Sequence, residues 1–431
     1  MTLDKVKIGL LGFGVVGQGV WKLLQENSTD ILDNTGIQIE VSHILVRDLQ
    51  KERLLPPDHP LYTTKWEELL EDDELEIVVE LMGGVEPARS YIEEALKAGK
   101  HVVTANKALL AQHGAALTKL AQDNGVQLRY EASVAGGIPI LQAIRESLLA
   151  NRIQSIMGIV NGTTNYILTR MTQEGITFEE ALKGAQDSGY AESDPTADVE
   201  GFDAAHKLSL LASLGFKTSV DYNQVYREGI NQITPLDIKY ARELGYVIKL
   251  LAITREIKGK IELRVHPTMI RKDHPLSSVS DAYNAVYVVG NAVGELMFYG
   301  KGAGDLPTAS AVMGDTINVA RLRNHNATPS YPLDYTPNGK RVQSMDETVT
   351  AYYIRLLVKD IPGVLGKIAS TFGSCGVSLS AVIQKGETDP VSLVFVTHRA
   401  REIAVQQAVK DIRLMDELIQ VAGIIRVEEL T

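Results

Sequence analysis

With 431 residues, 45% of them hydrophobic and 23% charged, the chain has the make-up of an ordinary globular protein but is too long for one hydrophobic core, so roughly two to four domains are expected. Its net charge of -11 disfavours nucleic acid or an anionic membrane surface as a partner, because both reward clustered lysine and arginine. One cysteine, Cys375, excludes an internal disulfide and a thiolate metal cluster, and fits a reducing compartment.

No stretch approaches the roughly 20 uninterrupted apolar residues that span a bilayer. The start, MTLDKVKIGLLGFG, runs straight into a strand with no small-residue cleavage site, so a cytoplasmic location is expected. Short apolar runs at 6–11, 37–46, 77–81, 101–104 and 126–130 alternate with helical patterns, which reads as βαβ units and a mainly parallel sheet. The expectation for residues 1–150 is an α/β, Rossmann-like dinucleotide-binding domain.

Gly12-Phe13-Gly14-Val15-Val16-Gly17 stands between the first of these strands and a helix. There the first glycine permits a tight turn, the second lets backbone amides approach a pyrophosphate, and the third allows close helix packing; the helix N-terminus adds orphan N–H groups. A structural glycine-rich turn is the plain alternative. Arg47 and Asp48 close the second strand, where an arginine suits the extra phosphate of NADP and a carboxylate suits the ribose of NAD. Arg47, with Lys51 and Arg53 nearby, makes NADP the first choice over NAD, although three solvated surface cations would read the same way.

Residues 151–324 mix strand-like runs (153–160, 247–254, 285–289) with helical ones (178–187, 202–214, 308–322), as in an α+β domain. Within it, 185–207 is turn-rich until Gly201 releases a helix on which Asp203, His206 and Lys207 share one face. A lysine beside carboxylates on an apolar helix is a candidate acid/base. Reducing an aldehyde needs hydride at carbon and a proton for the developing alkoxide, and an ammonium supplies both charge stabilisation and that proton. The surrounding carboxylates would grip an amino-acid ammonium group. By spacing alone, Asp203 and Lys207 are more often a surface ion pair contributing under ~1 kcal/mol.

Residues 325–347 hold three prolines and an Asn-Gly pair, and read as an exposed connection. The runs 351–358, 364–372, 378–384, 391–397, 401–412 and 424–427 then give the ferredoxin-like βαββαβ order over 348–431.

The gapless pattern A-x3-G-Y-A-x-x-D-P-x-x-D-V-x-G-x-D-A-A-x-K, from Ala185 to Lys207, resembles the signature of homoserine dehydrogenases. The likeness extends to GFGVVG, Thr104-Ala105-Asn106-Lys107, the stretch 131–139, Asn161-Gly162-Thr163-Thr164-Asn165-Tyr166 and Lys301-Gly302-Ala303-Gly304. It implies reversible conversion of L-aspartate 4-semialdehyde and NAD(P)H to L-homoserine, toward threonine and methionine, with a central catalytic and dimerisation domain. By that resemblance Lys207 is the proton donor, Lys107 lies between nicotinamide and substrate, Glu192 and Asp203 bind substrate, and Asp198 orders the acidic pocket. Cofactor contacts are expected at Gly12, Phe13, Gly14, Val15, Val16, Gly17, Arg47 and Lys107, with a second backbone contact at Gly302 and Gly304, where a plain helix-entry turn is the alternative. A monovalent cation, sodium, sits on the Glu131 carboxylate and the carbonyls of Val134, Gly136 and Ile138; a tight turn would use the same residues. The 360–369 segment, DIPGVLGKIA, resembles the ligand turn of ACT domains, which implies L-threonine as feedback effector and a homo-oligomer, dimer or tetramer. A dimerisation module without a ligand is the alternative there.

Two rival readings are weaker. A phosphorylating aldehyde dehydrogenase needs a catalytic thiol, and Cys375 lies far along the chain from the glycine loop. An amino-acid-binding regulator on a dead scaffold would have no use for intact Lys107, Asp203 and Lys207.

Overall fold

The computed structural model describes residues 4–323, 339–385 and 390–429. The chain forms two compact units: Met1–Ile156, His206–Gln224 and Asn284–Gly339 make one, and Met157–Ala205, Val225–Tyr283 and Lys340–Thr431 the other.

In the first unit β1 (Asp4–Leu11), β2 (Ile37–Leu45), β3 (Tyr62–Thr63), β4 (Leu75–Glu80), β5 (His101–Thr104) and β6 (Leu128–Arg129) form a sheet in the order 3-2-1-4-5-6. Every pairing is parallel. That is the doubly wound dinucleotide-binding order, in which ligands sit beyond the carboxyl ends of the strands. Val6, Ile8 and Leu10 of β1 and Ile77 and Val79 of β4 are buried, which is why these strands are continuous apolar runs. Each such side chain contributes roughly 1.5–3 kcal/mol on burial.

The helix α1 (Val15–Thr35) starts on Gly14 and stops at Gly36, whose left-handed φ of 72° ends it. A second helix, Asp305–Leu322, comes from far along the chain yet belongs to the same core, through Val312, Met313 and Val319. It lies so close to α1 that a side-chain carbon at Gly19 would stand 2.6 Å from the Asp305 carbonyl.

In the second unit the strands Tyr246–Ile257, Lys260–Arg271, Leu418–Glu428, Val349–Val358, Val391–Thr397 and Leu379–Lys385 follow one another in a single sheet. The first two form a hairpin closed by Lys258 and Gly259, both at positive φ (50° and 79°), as a two-residue type I′ turn requires. The last four, with helices Val364–Ser374 and Glu402–Ile412 packed on them, are the expected βαββαβ module. That module is joined to the hairpin by parallel pairing of 268–270 with 426–428.

Residues 325–338 of the expected connection lie outside the described residues. Its remainder is not bare loop, since Arg341–Val342 pairs with Lys260 and Ile261, and Met345–Glu347 is a 3-10 turn. Among the described residues no helix is long and apolar enough to cross a membrane.

Candidate active site

The glycine loop closes tightly at the carboxyl end of β1. Gly12 takes φ 97°, and its N–H donates to the Leu45 carbonyl at 2.9 Å. A side-chain carbon at Gly17 would meet the Gly12 carbonyl oxygen at 2.5 Å, so only glycine lets the loop fold back on α1. Gly14 faces open space and caps α1 with no side chain accepting from the helix start, which leaves the first N–H groups turned to whatever fills that space. Val15 beside it is 68% exposed. Phe13 instead turns inward against Trp21 and Tyr62, so it can meet a dinucleotide only through backbone, while the partly buried Val16 packs on the same core. Arg47 is exposed just past β2. Arg53 is held to its own loop by bonds from Nη1 to the carbonyls of Asp48 (2.8 Å) and Lys51 (2.9 Å).

At the end of β5, the Asn106 side chain accepts the Leu109 N–H at 3.1 Å and starts the helix Lys107–Asp123. Lys107 is therefore the first residue of that helix, at the same carboxyl edge of the sheet as the glycine loop.

Glu131 is buried, with its two carboxylate oxygens accepting the N–H groups of Leu141 (2.8 Å) and Gln142 (2.6 Å). Its own N–H donates to Asp315 Oδ2 at 2.6 Å. Burial, then the Asp315 charge, push the Glu131 carboxyl up to about 7 against those two donors and Arg145. Burial also raises Asp315. The chain then bends through Ala135 and Gly136 at φ 56° and 57°. Among the described residues the carbonyls of Val134 and Gly136 accept no hydrogen bond, whereas that of Ile138 accepts the Ile140 N–H at 2.8 Å. A buried carboxylate driven upward, next to two unengaged carbonyls, suits a monovalent cation. The loop of Gly302 and Gly304 lies against this bend: Gly137 N–H donates to the Lys301 carbonyl at 3.1 Å, and a side chain at Gly136 would strike Gly302.

The acids gather around one residue that the motif reading did not single out. Asn161 caps the helix Gly162–Glu174 with its Oδ1, and its Nδ2 donates to Asp198 Oδ1 at 2.6 Å and to Asp203 Oδ2 at 2.9 Å. Asp203 is buried and Asp198 half-buried. Glu192 stands on an exposed loop outside this group; the loop is tied back by Gln186 Nε2 to the Glu192 carbonyl at 3.1 Å. Asn161 does carry a sequence signal, since an asparagine followed by Gly-Thr-Thr is a helix N-cap. That its side-chain NH2 would find two acids some 40 positions on is a tertiary fact.

Lys207 follows Asp203 by one turn of the helix Phe202–Phe216 and is only 9% exposed. The His206 ring packs on Tyr222 at 4.4 Å. Beyond the two lysines, the helices Lys107–Asp123 and Phe202–Phe216 line a common cavity of about 320 Å³, with Leu110, Ala111, Ser209 and Ser213 in its wall.

Comparison with known proteins agrees over nearly the whole chain. Residues 139–317 match the family model described as Homoserine dehydrogenase, residues 12–131 that described as Homoserine dehydrogenase, NAD binding domain, and residues 352–413 the ACT domain. A homoserine dehydrogenase of Synechocystis is 47% identical over 435 residues, covering 98% of this chain and 99% of the relative. One of Bacillus subtilis is 41% identical, covering 99% of each. The crystal structure of a homoserine dehydrogenase from Thiobacillus denitrificans superposes with a TM-score of 0.93 at 43% identity, covering 99% of both chains. A hyperthermophilic archaeal homoserine dehydrogenase in complex with NADPH matches 73% of this chain and 97% of its own, with 31% identity and a TM-score of 0.63.

Proposed function

From the premise that the chain belongs to the homoserine dehydrogenase family, we propose that Lys207 and the acids gathered by Asn161 carry out reversible NAD(P)-dependent interconversion of L-homoserine and L-aspartate 4-semialdehyde. The observation that carries this reading is the pair of bonds from Asn161 to Asp198 and Asp203, with Lys207 one turn further along the helix of Asp203. Asp203, with Asp198 behind it and Glu192 from its exposed loop, holds the substrate ammonium and so fixes which carbon faces the cofactor. The nicotinamide, when bound, supplies or accepts the hydride. Lys207 gives its Nζ proton to the carbonyl oxygen as that oxygen becomes negative, and takes it back in the oxidative direction. Lys107 adds a second positive charge where substrate and nicotinamide meet.

The pyrophosphate is held by the backbone of Gly12 to Gly17 and by the loop of Gly302 and Gly304, and Arg47 favours NADP over NAD. Sodium on Glu131, Val134, Gly136 and Ile138 has a structural rather than catalytic role. L-threonine is the feedback effector, in a cavity of about 320 Å³ lined by Asp360, Ile361, Gly363, Val364 and Gln384 at the start of a helix. A homo-oligomer, dimer or tetramer, fits the exposed Val293, Met297 and Tyr299 on and beside the edge strand Gly294–Lys301. The division into 1–150, 151–324, 325–347 and 348–431, and a cytoplasmic location, complete the proposal. Steady-state oxidation of homoserine with NAD and with NADP, each with and without threonine, tests it. Turnover that prefers NADP and falls with threonine is expected. No turnover with either cofactor sinks the catalytic reading, and insensitivity to threonine the regulatory one.

A further inference from the structure

Glu80 is a fully buried carboxylate at the last position of β4, where the sheet presents its carboxyl edge, and neither the motif reading nor the proposed chemistry uses it. Its Oε1 accepts the N–H groups of Met82 (2.8 Å) and Gly83 (3.3 Å), and its Oε2 accepts the Thr104 hydroxyl at 2.5 Å. The Thr104 oxygen in turn accepts the Asn106 N–H at 3.0 Å, and Asn106 Nδ2 donates to the Gly84 carbonyl at 2.6 Å. The bonds form a closed ring through the loop after β4, the loop after β5 and the first turn of the Lys107 helix. Glu80 also pairs in register with Leu11, immediately before the glycine loop.

We infer that Glu80 is a positioning residue for the nicotinamide end of the cofactor, acting through the 82–84 loop and through Thr104 and Asn106 to fix Lys107. A carboxyl in so dry a place is retained at a cost, and burial indeed pushes its proton affinity upward while its donors oppose that. Every partner is a donor, so both oxygens must accept. Glutamine presents an NH2 on one side, which faces either two backbone N–H groups or a hydroxyl whose oxygen already accepts from Asn106. Thr104 is the second hinge of the ring, and serine there keeps its hydroxyl where valine removes it.

The inference rests on the proposed seating of the cofactor along this edge. The test therefore measures NADPH and NADH binding to the full-length protein by cofactor fluorescence, together with kcat and both Michaelis constants, for wild type, Glu80→Gln, Thr104→Val and Thr104→Ser. Glu80→Gln and Thr104→Val are expected to raise the cofactor KM at least about fivefold and lower kcat at least about tenfold, with homoserine KM within about twofold of wild type and Thr104→Ser near wild type. If Glu80→Gln does not fold, the valine and serine variants decide. Unchanged cofactor binding in folded variants overturns the inference. So does a fall in kcat with both Michaelis constants unchanged, which is the mark of a smaller active fraction. A wild-type protein that binds neither dinucleotide overturns the seating itself, and the inference with it.

Discussion

An ammonium at 9% exposure is an expensive group to keep, and Lys207 is kept one helical turn from an acid that Asn161 already holds in place. Lys207→Ala is expected to lower kcat at least about a hundredfold, as loss of a general acid does, while circular dichroism and the melting midpoint show a folded protein. Equal turnover in that variant would remove the mechanism. Asn161→Ala loses both the helix cap and the grip on Asp198 and Asp203, so homoserine KM should rise at least about tenfold and stability fall by about 1–2 kcal/mol. Steady-state kinetics and denaturant unfolding read the two effects separately, and an unchanged homoserine KM counts against the substrate role of the acids. The stretch that carries the proposed Asp198, Asp203 and Lys207 was legible in the sequence as a long, gapless family motif. Glu80 was not legible, and Asn161 was legible only as a helix cap within a family motif, because a hydrogen-bonding hub is defined by the partners that the fold brings to it.

At the scale of elements, α1 depends on how closely its start approaches the end of β1. Gly17→Ala places a carbon 2.5 Å from the Gly12 carbonyl, so the loop must open. Cofactor KM is expected to rise at least about tenfold with homoserine KM little changed; titration of NADPH fluorescence checks it, and wild-type affinity would show that the loop yields freely. The strand Lys260–Arg271 shows a different limit of sequence reading. Its alternation of Ile261, Leu263, Val265 and Met269 with Glu262, Arg264, His266 and Thr268 suggests one face in water, yet both faces are buried. The polar face is matched from the far end of the chain, where Glu428 pairs with Arg264 and, at 2.6 Å, with Arg255. Burial alone would raise the Glu428 carboxyl, but the two guanidinium charges outweigh it and hold it at about 2. A carboxyl depressed on folding adds stability above its ordinary value of 4.5 and loses it as pH falls toward about 2. Thermal unfolding followed from pH 6 to 2.5 should therefore show a steeper acid loss in wild type than in Glu428→Gln, which leaves Arg255 and the buried Arg264 with Glu262 as their one remaining carboxylate and starts out less stable at neutral pH by roughly 3 kcal/mol. Parallel acid limbs would mean that this carboxyl does not drive the loss.

For the molecule as a whole, the βαββαβ module is no detachable appendage of the second unit. Arg355 clamps the fully buried Asp237 of the helix Pro235–Glu243 through Nε (2.7 Å) and Nη2 (3.0 Å), and Tyr353 donates to the same carboxylate at 3.0 Å. Deleting the chain beyond Thr348 is expected to preserve homoserine turnover and abolish inhibition by threonine, but also to lower the melting midpoint by at least about 5 °C, as a loss of roughly 4–5 kcal/mol does in a chain this large. Retained threonine sensitivity would contradict the regulatory assignment, and an unchanged midpoint the importance of the clamp. Periodicity and glycine placement settled the elements that are regular and local: the parallel strands around GFGVVG, the helix over 178–187 and the βαββαβ order all stand where the pattern of apolar residues put them. Which distant segments share a core or a buried charge was left to tertiary structure, as Asp305–Leu322 on α1, Asn161 on two acids and Glu428 on two arginines illustrate. Local sequence encodes the backbone geometry of a few neighbouring residues, whereas a buried polar group is satisfied only by partners that chain folding delivers.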